Sequence, residues 1–274
     1  MCELFAMSAR APTRVQLSLG ELARHGGLTG KHRDGWGVAF YDGPDALVVR
    51  EPEPASDSTW MRFVREHPQR SSIVVAHIRL ATRGDRALRN TQPFSRELGG
   101  RVHAFAHNGT LSGLEPDRPP AGWRFRPIGD TDSELAFCAL LERMRDVWRS
   151  VEGATPELAE RLAAVTDFAR WLRARGPANF LYADGDTVFA HAHRRTQADG
   201  VIRPPGLHLL CRTCTMADDA PLAGLTLGDG TDGAAAQEVA LVASVPLSDE
   251  AWQPLPEGEV LALREGRVVA RVAG

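Results

Sequence analysis

Met1-Cys2-Glu3-Leu4-Phe5-Ala6-Met7-Ser8 opens the chain, and its second residue decides how the rest is read. Leu4 to Met7 is apolar enough to carry a strand into a core. An initiator methionine is readily trimmed when the next side chain is small. Trimming leaves Cys2 with a free α-amine beside its own thiol. A base of pKa about 8 then stands next to a nucleophile of pKa about 8.5. Alone, a cysteine at position two is an ordinary buried thiol. The segments that follow give it a chemical context.

The bulk numbers exclude several classes. The chain has 274 residues, 43% hydrophobic and 24% charged, which suits a globular fold with a sizeable core. Its formal net charge is −3, from 32 basic and 35 acidic side chains, with no block of one sign. Nucleic acid and anionic membrane are therefore not implied partners. No apolar run reaches the ~18–20 residues of a membrane span, and no signal peptide is visible. Four cysteines are too few for a disulfide scaffold. The expectation is a soluble cytoplasmic protein.

Working outward, Pro12 to about Arg24 carries apolar residues at helical spacing and reads as an amphipathic helix ending at Gly26-Gly27. Gly26 to Gly37 is dense in glycine and contains Lys31-His-Arg-Asp-Gly-Trp-Gly37, a stretch where backbone can pass close to something. Val38–Tyr41 and Ala46–Arg50 read as strands around an Asp-Gly-Pro-Asp turn. Ser58–Glu66 reads as a short helix with Trp60, Phe63 and Val64 on one side. Ser72–Arg79 is the strongest strand, apolar almost without break, as a strand buried on both faces should be. It delivers Arg79-Leu-Ala-Thr82-Arg-Gly84. Arg101–His107 is a further strand, ending in His107-Asn108-Gly109-Thr110. After a proline-rich loop, Thr131 or Asp132 caps a helix whose apolar face holds Leu135, Cys138, Leu141, Met144 and Trp148. A second helix spans roughly Pro156–Arg173, with Leu158, Leu162, Val165, Phe168, Ala169 and Leu172 inward. Strands follow at 179–183, 187–191, 206–211, 239–244, 260–263 and 268–272, and residues 226–236 read as a mobile loop. Strands, then paired helices, then strands again give α+β layering.

Cys2, a strand-end Arg79 and Thr82, a strand-end His107-Asn108-Gly109 and an acidic helix start at Asp130-Thr-Asp132-Ser-Glu134 are each weak signals alone. Asn-Gly is usually a turn and a helix-start Asp usually a cap. In this order, together with His32-Arg-Asp-Gly-Trp-Gly37, Val75-Ala-His-Ile-Arg79 and Asn90-Thr-Gln-Pro-Phe94, the sequence resembles the class II glutamine amidotransferases. These are N-terminal-nucleophile hydrolases, and the chain is most similar to their small stand-alone YafJ-like group. The likeness spans the first half and continues weakly into Leu247–Trp252.

The resemblance implies one domain over residues 1–274 with the four-layer αββα fold, two antiparallel sheets between helical layers. It implies hydrolysis of the γ-glutamyl amide of glutamine through a Cys2 thioester, with the α-amine of Cys2 as base once Met1 is removed. It places Asn108 and the Gly109 N–H in an oxyanion hole. Arg79 and Thr82 would take the substrate α-carboxylate, and Asp132 the α-ammonium. No cofactor and no metal are implied. Leu80, Arg83 and Gln92 depart from the residues frequent there in larger relatives. No synthase segment is visible, so three rivals stand: a γ-glutamyl hydrolase acting on a glutathione-like peptide or conjugate, the ammonia-supplying subunit of a separate synthase, and a non-catalytic γ-glutamyl-binding module.

Other residues keep two readings. Cys211-Arg-Thr-Cys214 is an incidental thiol pair, or part of a zinc site with His191, His193 or His208. Trp36 packs beneath the Cys2 strand or lines the pocket. His107 supports the oxyanion loop or acts as a catalyst. Asp34 reads as bonded to nearby backbone.

Overall fold

A computed structural model describes residues 2–15, 17–149, 151, 154–214, 225–226 and 237–274. Met1 and the side chain of Cys214 lie outside them, as does the expected mobile loop from residue 227 to 236. The elements run β1 (Glu3–Val15), α1 (Leu17–His25), β2 (Trp36–Asp42), β3 (Asp45–Glu51), α2 (Thr59–Glu66) and β4 (Arg70–Ile78). A short turn at Leu88–Asn90 precedes β5 (Phe94–Leu98), β6 (Arg101–Asn108), α3 (Asp132–Arg149) and α4 (Leu158–Arg173). Then come β7 (Asn179–Ala183), β8 (Val188–His191), β9 (Arg195–Thr196), β10 (Ile202–Arg203), β11 (His208–Cys214) and β12 (Leu225–Thr226). The chain closes with β13 (Gln237–Ala243), β14 (Gln253–Pro254), β15 (Val260–Arg264) and β16 (Arg267–Val272).

Two large sheets form, with neighbouring strands antiparallel. One runs β14-β11-β13-β1-β4-β2-β3, with β12 added beside β1; the other runs β16-β15-β8-β7-β6-β5. The period-two alternation of strands explains the layering. On β1, Leu4 and Ala6 face the second sheet, whereas Phe5 and Met7 face the α1–α2 layer. On β6, Ala104 and Ala106 face inward and Phe105 packs under α3. The same switch repeats on β4, β7, β8, β13 and β15, giving helix, sheet, sheet, helix. The αββα expectation is met. The inter-sheet layer mixes alanines such as Ala6, Ala39, Ala104 and Ala106 with larger residues such as Leu4, Val75 and Leu181.

Several local readings are corrected. The helix expected from Pro12 starts only at Leu17, because β1 continues to Val15. Thr13 and Arg14 pair with Ser71 and Arg70 after a register shift from Ser8, and Gln237 bonds both the N–H and the C=O of Ala11. This pairing, made with distant residues, overrides the local helical spacing. In α2 the buried residues are Met61 and Val64, while Trp60 and Phe63 are exposed, Trp60 edge-on to Phe63 and Phe63 stacked on His67. Ser58 caps that helix by accepting from Met61 N at 2.9 Å. Leu158 and Leu162 of α4 are half-buried. Arg161 goes inside instead, paired with Asp184 and Asp186 at 2.8 Å each. Strand β5 was not anticipated.

Candidate active site

The antiparallel pairing brings the N-terminus of β1 and the C-termini of β4 and β6 to one end of the sandwich. Cys2 precedes β1 there. Its sulfur meets the Leu80 N–H at 3.3 Å and the Leu80 C=O at 3.4 Å. Burial pushes the thiol pKa up, against the Leu80 N–H and the charge of Arg79, which pull it down. Burial is the largest influence, and the thiol pKa stands raised. The sulfur's contacts among the described residues are to the Leu80 backbone, not to a histidine or carboxylate.

Asn108, the last residue of β6, is fully buried, and its Nδ2 donates to the Cys2 C=O at 2.5 Å. Its Oδ1 has no partner. Asn179 on neighbouring β7 donates from Nδ2 to the Asn108 C=O at 3.3 Å and to the Arg194 C=O at 2.7 Å. Gly109 is required by close approach: a Cβ there would stand 1.8 Å from the Pro177 carbonyl oxygen. His107 serves as support. Its N–H donates to Gln92 Oε1 at 2.6 Å and its Nδ1 lies 2.9 Å from Ser133 Oγ. Burial lowers its pKa, partly offset by Asp132, which keeps the ring neutral.

Arg79 follows β4 and is 3% exposed. Its terminal nitrogens donate to four carbonyls: Asp34 at 3.3 Å, Asp85 at 3.1 Å, and Arg83 and Gly84 at 2.9 Å. The guanidinium thus ties the 83–85 loop to the 32–35 segment. Gly84, at φ 72, supplies the turn. Thr82 Oγ1 stands exposed, 3.2 Å from Thr110 Oγ1, and joins the Arg79 loop to the loop after Asn108-Gly109. Asp34 Oδ2 accepts from Ala81 N at 2.8 Å, as the backbone-bonding reading expected.

Asp132 opens α3, but the cap is Thr131, whose Oγ1 accepts from Glu134 N at 3.3 Å. Asp132 Oδ2 accepts from Leu111 N at 2.6 Å and Oδ1 from Ser133 N at 2.9 Å. Its carboxylate therefore holds the loop after Gly109. The structure brings Cys2 and Asn108 into contact and joins the Arg79 and Asp132 loops through Thr82 and Thr110. It does not place Arg79 and Asp132 against each other.

Sequence reasoning left several braces unassigned. Asn90 donates to Asp85 O at 3.0 Å and accepts from Asp130 N at 2.8 Å, linking the Arg79 loop to the start of α3. Gln92, Asn179 and Ser133 act as described. The Asn90–Phe94 motif signalled two of these; Asn179 had no signal. Trp36 takes the packing reading: fully buried among α1–α2 contacts, its Nε1 donates to Glu51 Oε2 at 3.2 Å. His191 bonds the Ala178 C=O and His193 faces Glu257, and among the described residues no His, Cys, Asp and Glu gather in a metal-binding group.

The family model for class II glutamine amidotransferases matches residues 1–273. The chain belongs to that family. It is 36% identical to YafJ of Escherichia coli (strain K12) over 267 residues, covering 94% of this chain and 96% of that one. It is 32% identical to a predicted glutamine amidotransferase of known structure from Pseudomonas aeruginosa PA01, with a TM-score of 0.67 and 98% and 100% of the two chains covered. The glutamine phosphoribosylpyrophosphate amidotransferase of Bacillus subtilis shares the fold at 15% identity and a TM-score of 0.57, over 96% of this chain and 47% of that one. No helix among the described residues is long and apolar enough to cross a membrane.

Proposed function

We propose that this amidotransferase-family chain hydrolyses the γ-glutamyl amide of glutamine to glutamate and ammonia through a thioester on Cys2. The observation that carries this reading is the Asn108 amide held on the carbonyl of Cys2 at 2.5 Å. An amide nitrogen has two hydrogens. With one fixed on the Cys2 carbonyl, the other remains to donate to the oxyanion that forms when the Cys2 sulfur attacks a substrate carbonyl. The Gly109 N–H follows at the same strand end and is the second oxyanion donor.

The raised thiol pKa and the absence of a histidine or carboxylate from the sulfur's contacts among the described residues support a base of another kind. The α-amine of Cys2, freed by loss of Met1, takes the thiol proton as the sulfur attacks. The tetrahedral oxyanion collapses to the thioester and ammonia leaves with a proton. Water then attacks the thioester through a second oxyanion. Arg79 and Thr82 receive the substrate α-carboxylate, and Asp132 the α-ammonium.

Ammonia release from a panel of glutamine and γ-glutamyl peptides and conjugates, with and without cell extract, tests this reading. Release from glutamine alone is the expected result. Release confined to larger γ-glutamyl compounds, or only with extract, assigns the site to a γ-glutamyl hydrolase or to a synthase's ammonia-supplying subunit. No release under any condition refutes hydrolysis.

A further inference from the structure

The residue after the nucleophile is a glutamate, and nothing above uses it. Glu3 is 6% exposed and shares the α1-facing side of β1 with Phe5 and Met7, the side opposite Leu4. Its Oε2 lies 2.7 Å from Nδ1 of His25, the last residue of α1. A buried carboxylate persists only when paired. The charges facing Glu3 are His25, His32 and Arg195; those facing His25 are Glu3, and Glu21 and Arg24 on its own helix. Glu21, Asp249 and Glu250 line, with His25, a cavity of about 700 Å³ beside the pair. Burial pushes the Glu3 carboxyl up, but the His25 hydrogen bond and the surrounding charges bring it below its usual range. The hydrogen bond to Glu3 raises the His25 pKa against burial.

We propose that the Glu3–His25 pair is a positioning clamp for the nucleophile, fastening the Cys2–Glu3 peptide to α1 from the far side of the sheet. The inference rests on the reading of Cys2 as nucleophile. The same peptide presents its carbonyl to Asn108 on the near side. Between these two contacts, the clamp fixes where the sulfur and the oxyanion donor stand relative to each other. If the clamp is lost, Cys2 leaves its contact with Leu80, and the sulfur becomes more accessible but less well aligned.

Glu3→Gln, His25→Gln and the double variant test this in two assays. The first is the rate at which iodoacetamide alkylates Cys2, read on the N-terminal peptide by mass spectrometry; it needs no substrate. The second is kcat and KM for ammonia release from glutamine. Losing one charge-assisted hydrogen bond predicts a kcat about tenfold lower at similar KM, with Cys2 alkylation faster by a similar factor. The double variant should be no worse than the worse single one, since both cut the same contact. Parent kcat should also decline as pH rises through the raised His25 pKa, and His25→Gln should lack that limb. A merely structural role lowers thermal stability without these opposed changes. If Glu3→Gln does not fold, His25→Gln at the helix end carries the test. Variants whose kcat and alkylation both stay within twofold of the parent overturn the clamp. If the parent releases no ammonia from any γ-glutamyl compound while variant alkylation still quickens, the hydrolytic reading fails and the clamp stands.

Discussion

Replacing Asn108 with Ala separates the oxyanion role proposed for this residue from its structural one. In the folded protein its Nδ2 satisfies the Cys2 carbonyl at 2.5 Å, while its Oδ1 is buried without a partner. Truncation takes this donor from the half-buried Cys2 carbonyl, at a cost of at most about 1–3 kcal/mol. It also removes the orphaned Oδ1, which recovers part of that cost. The net loss should be about 1 kcal/mol, and in a chain of this size that lowers Tm by about 2–4 °C. In the transition state the same change removes one oxyanion donor, worth about 2.7–4 kcal/mol, or 10²–10³ in kcat. Catalysis should therefore fall far more than stability. Steady-state ammonia release and thermal melts on the same preparation read both numbers. A kcat within tenfold of the parent in a folded Asn108→Ala would refute the assignment of Asn108 to the oxyanion hole.

Arg79→Lys keeps the charge but replaces a fork bonded to four carbonyls with one nitrogen bearing three donors. kcat/KM should fall about 10- to 150-fold, and hydrogen exchange in the 83–86 loop should quicken; an unchanged loop would show that the fork is dispensable. Asp132→Asn turns one acceptor against the Leu111 or Ser133 N–H, so substrates bearing an α-amine should weaken while analogues lacking it are spared. Glutamine hydrolysis at the parent rate would leave Asp132 a loop brace and point to Asp130. His191 is fully buried and its pKa is lowered, chiefly by burial, to about 3. His77 and His107 are buried and lowered too. A depressed histidine stabilises the fold above its unfolded pKa of about 6.5 and loses that contribution as pH falls. At pH 5, His191 alone should have removed about 2 kcal/mol, so Tm should drop steadily from pH 7 to 5; a flat profile contradicts this.

The strands that build the site were legible because they are buried on both faces. Ile73–Ile78 and Val102–Ala106 lose water on both sides, so their apolar runs are nearly unbroken. The residues at their ends stood out for the same reason, since a polar Arg79 directly after one run, and His107-Asn108 after the other, is conspicuous. What was not legible depends on partners distant in sequence. Residues 12–15 join β1 rather than α1 because residues 70–71 and 225–226 pair with that stretch, and the Gln237 amide holds Ala11 just before it. Arg79 meets four backbone carbonyls, and a carbonyl acceptor has no sequence signature. Glu3 meets His25 across 22 residues, and no local pattern links a strand to the far end of the following helix. The short helix at 58–66 was legible, with Trp60, Phe63 and Val64 grouped on one side, but which residues of α2 are buried was not: Val64 goes inside with Met61, while Trp60 and Phe63 are exposed.

The most direct test of the central claim is where a glutamine-mimicking diazoketone attaches. The protein is incubated with the reagent until ammonia release stops, and the modified peptide is sequenced by mass spectrometry. The account predicts one adduct, on the sulfur of Cys2, in an N-terminal peptide that begins at Cys2 with a free α-amine, with excess glutamine slowing its formation. An adduct elsewhere, or full activity in protein that still carries Met1, would contradict the account.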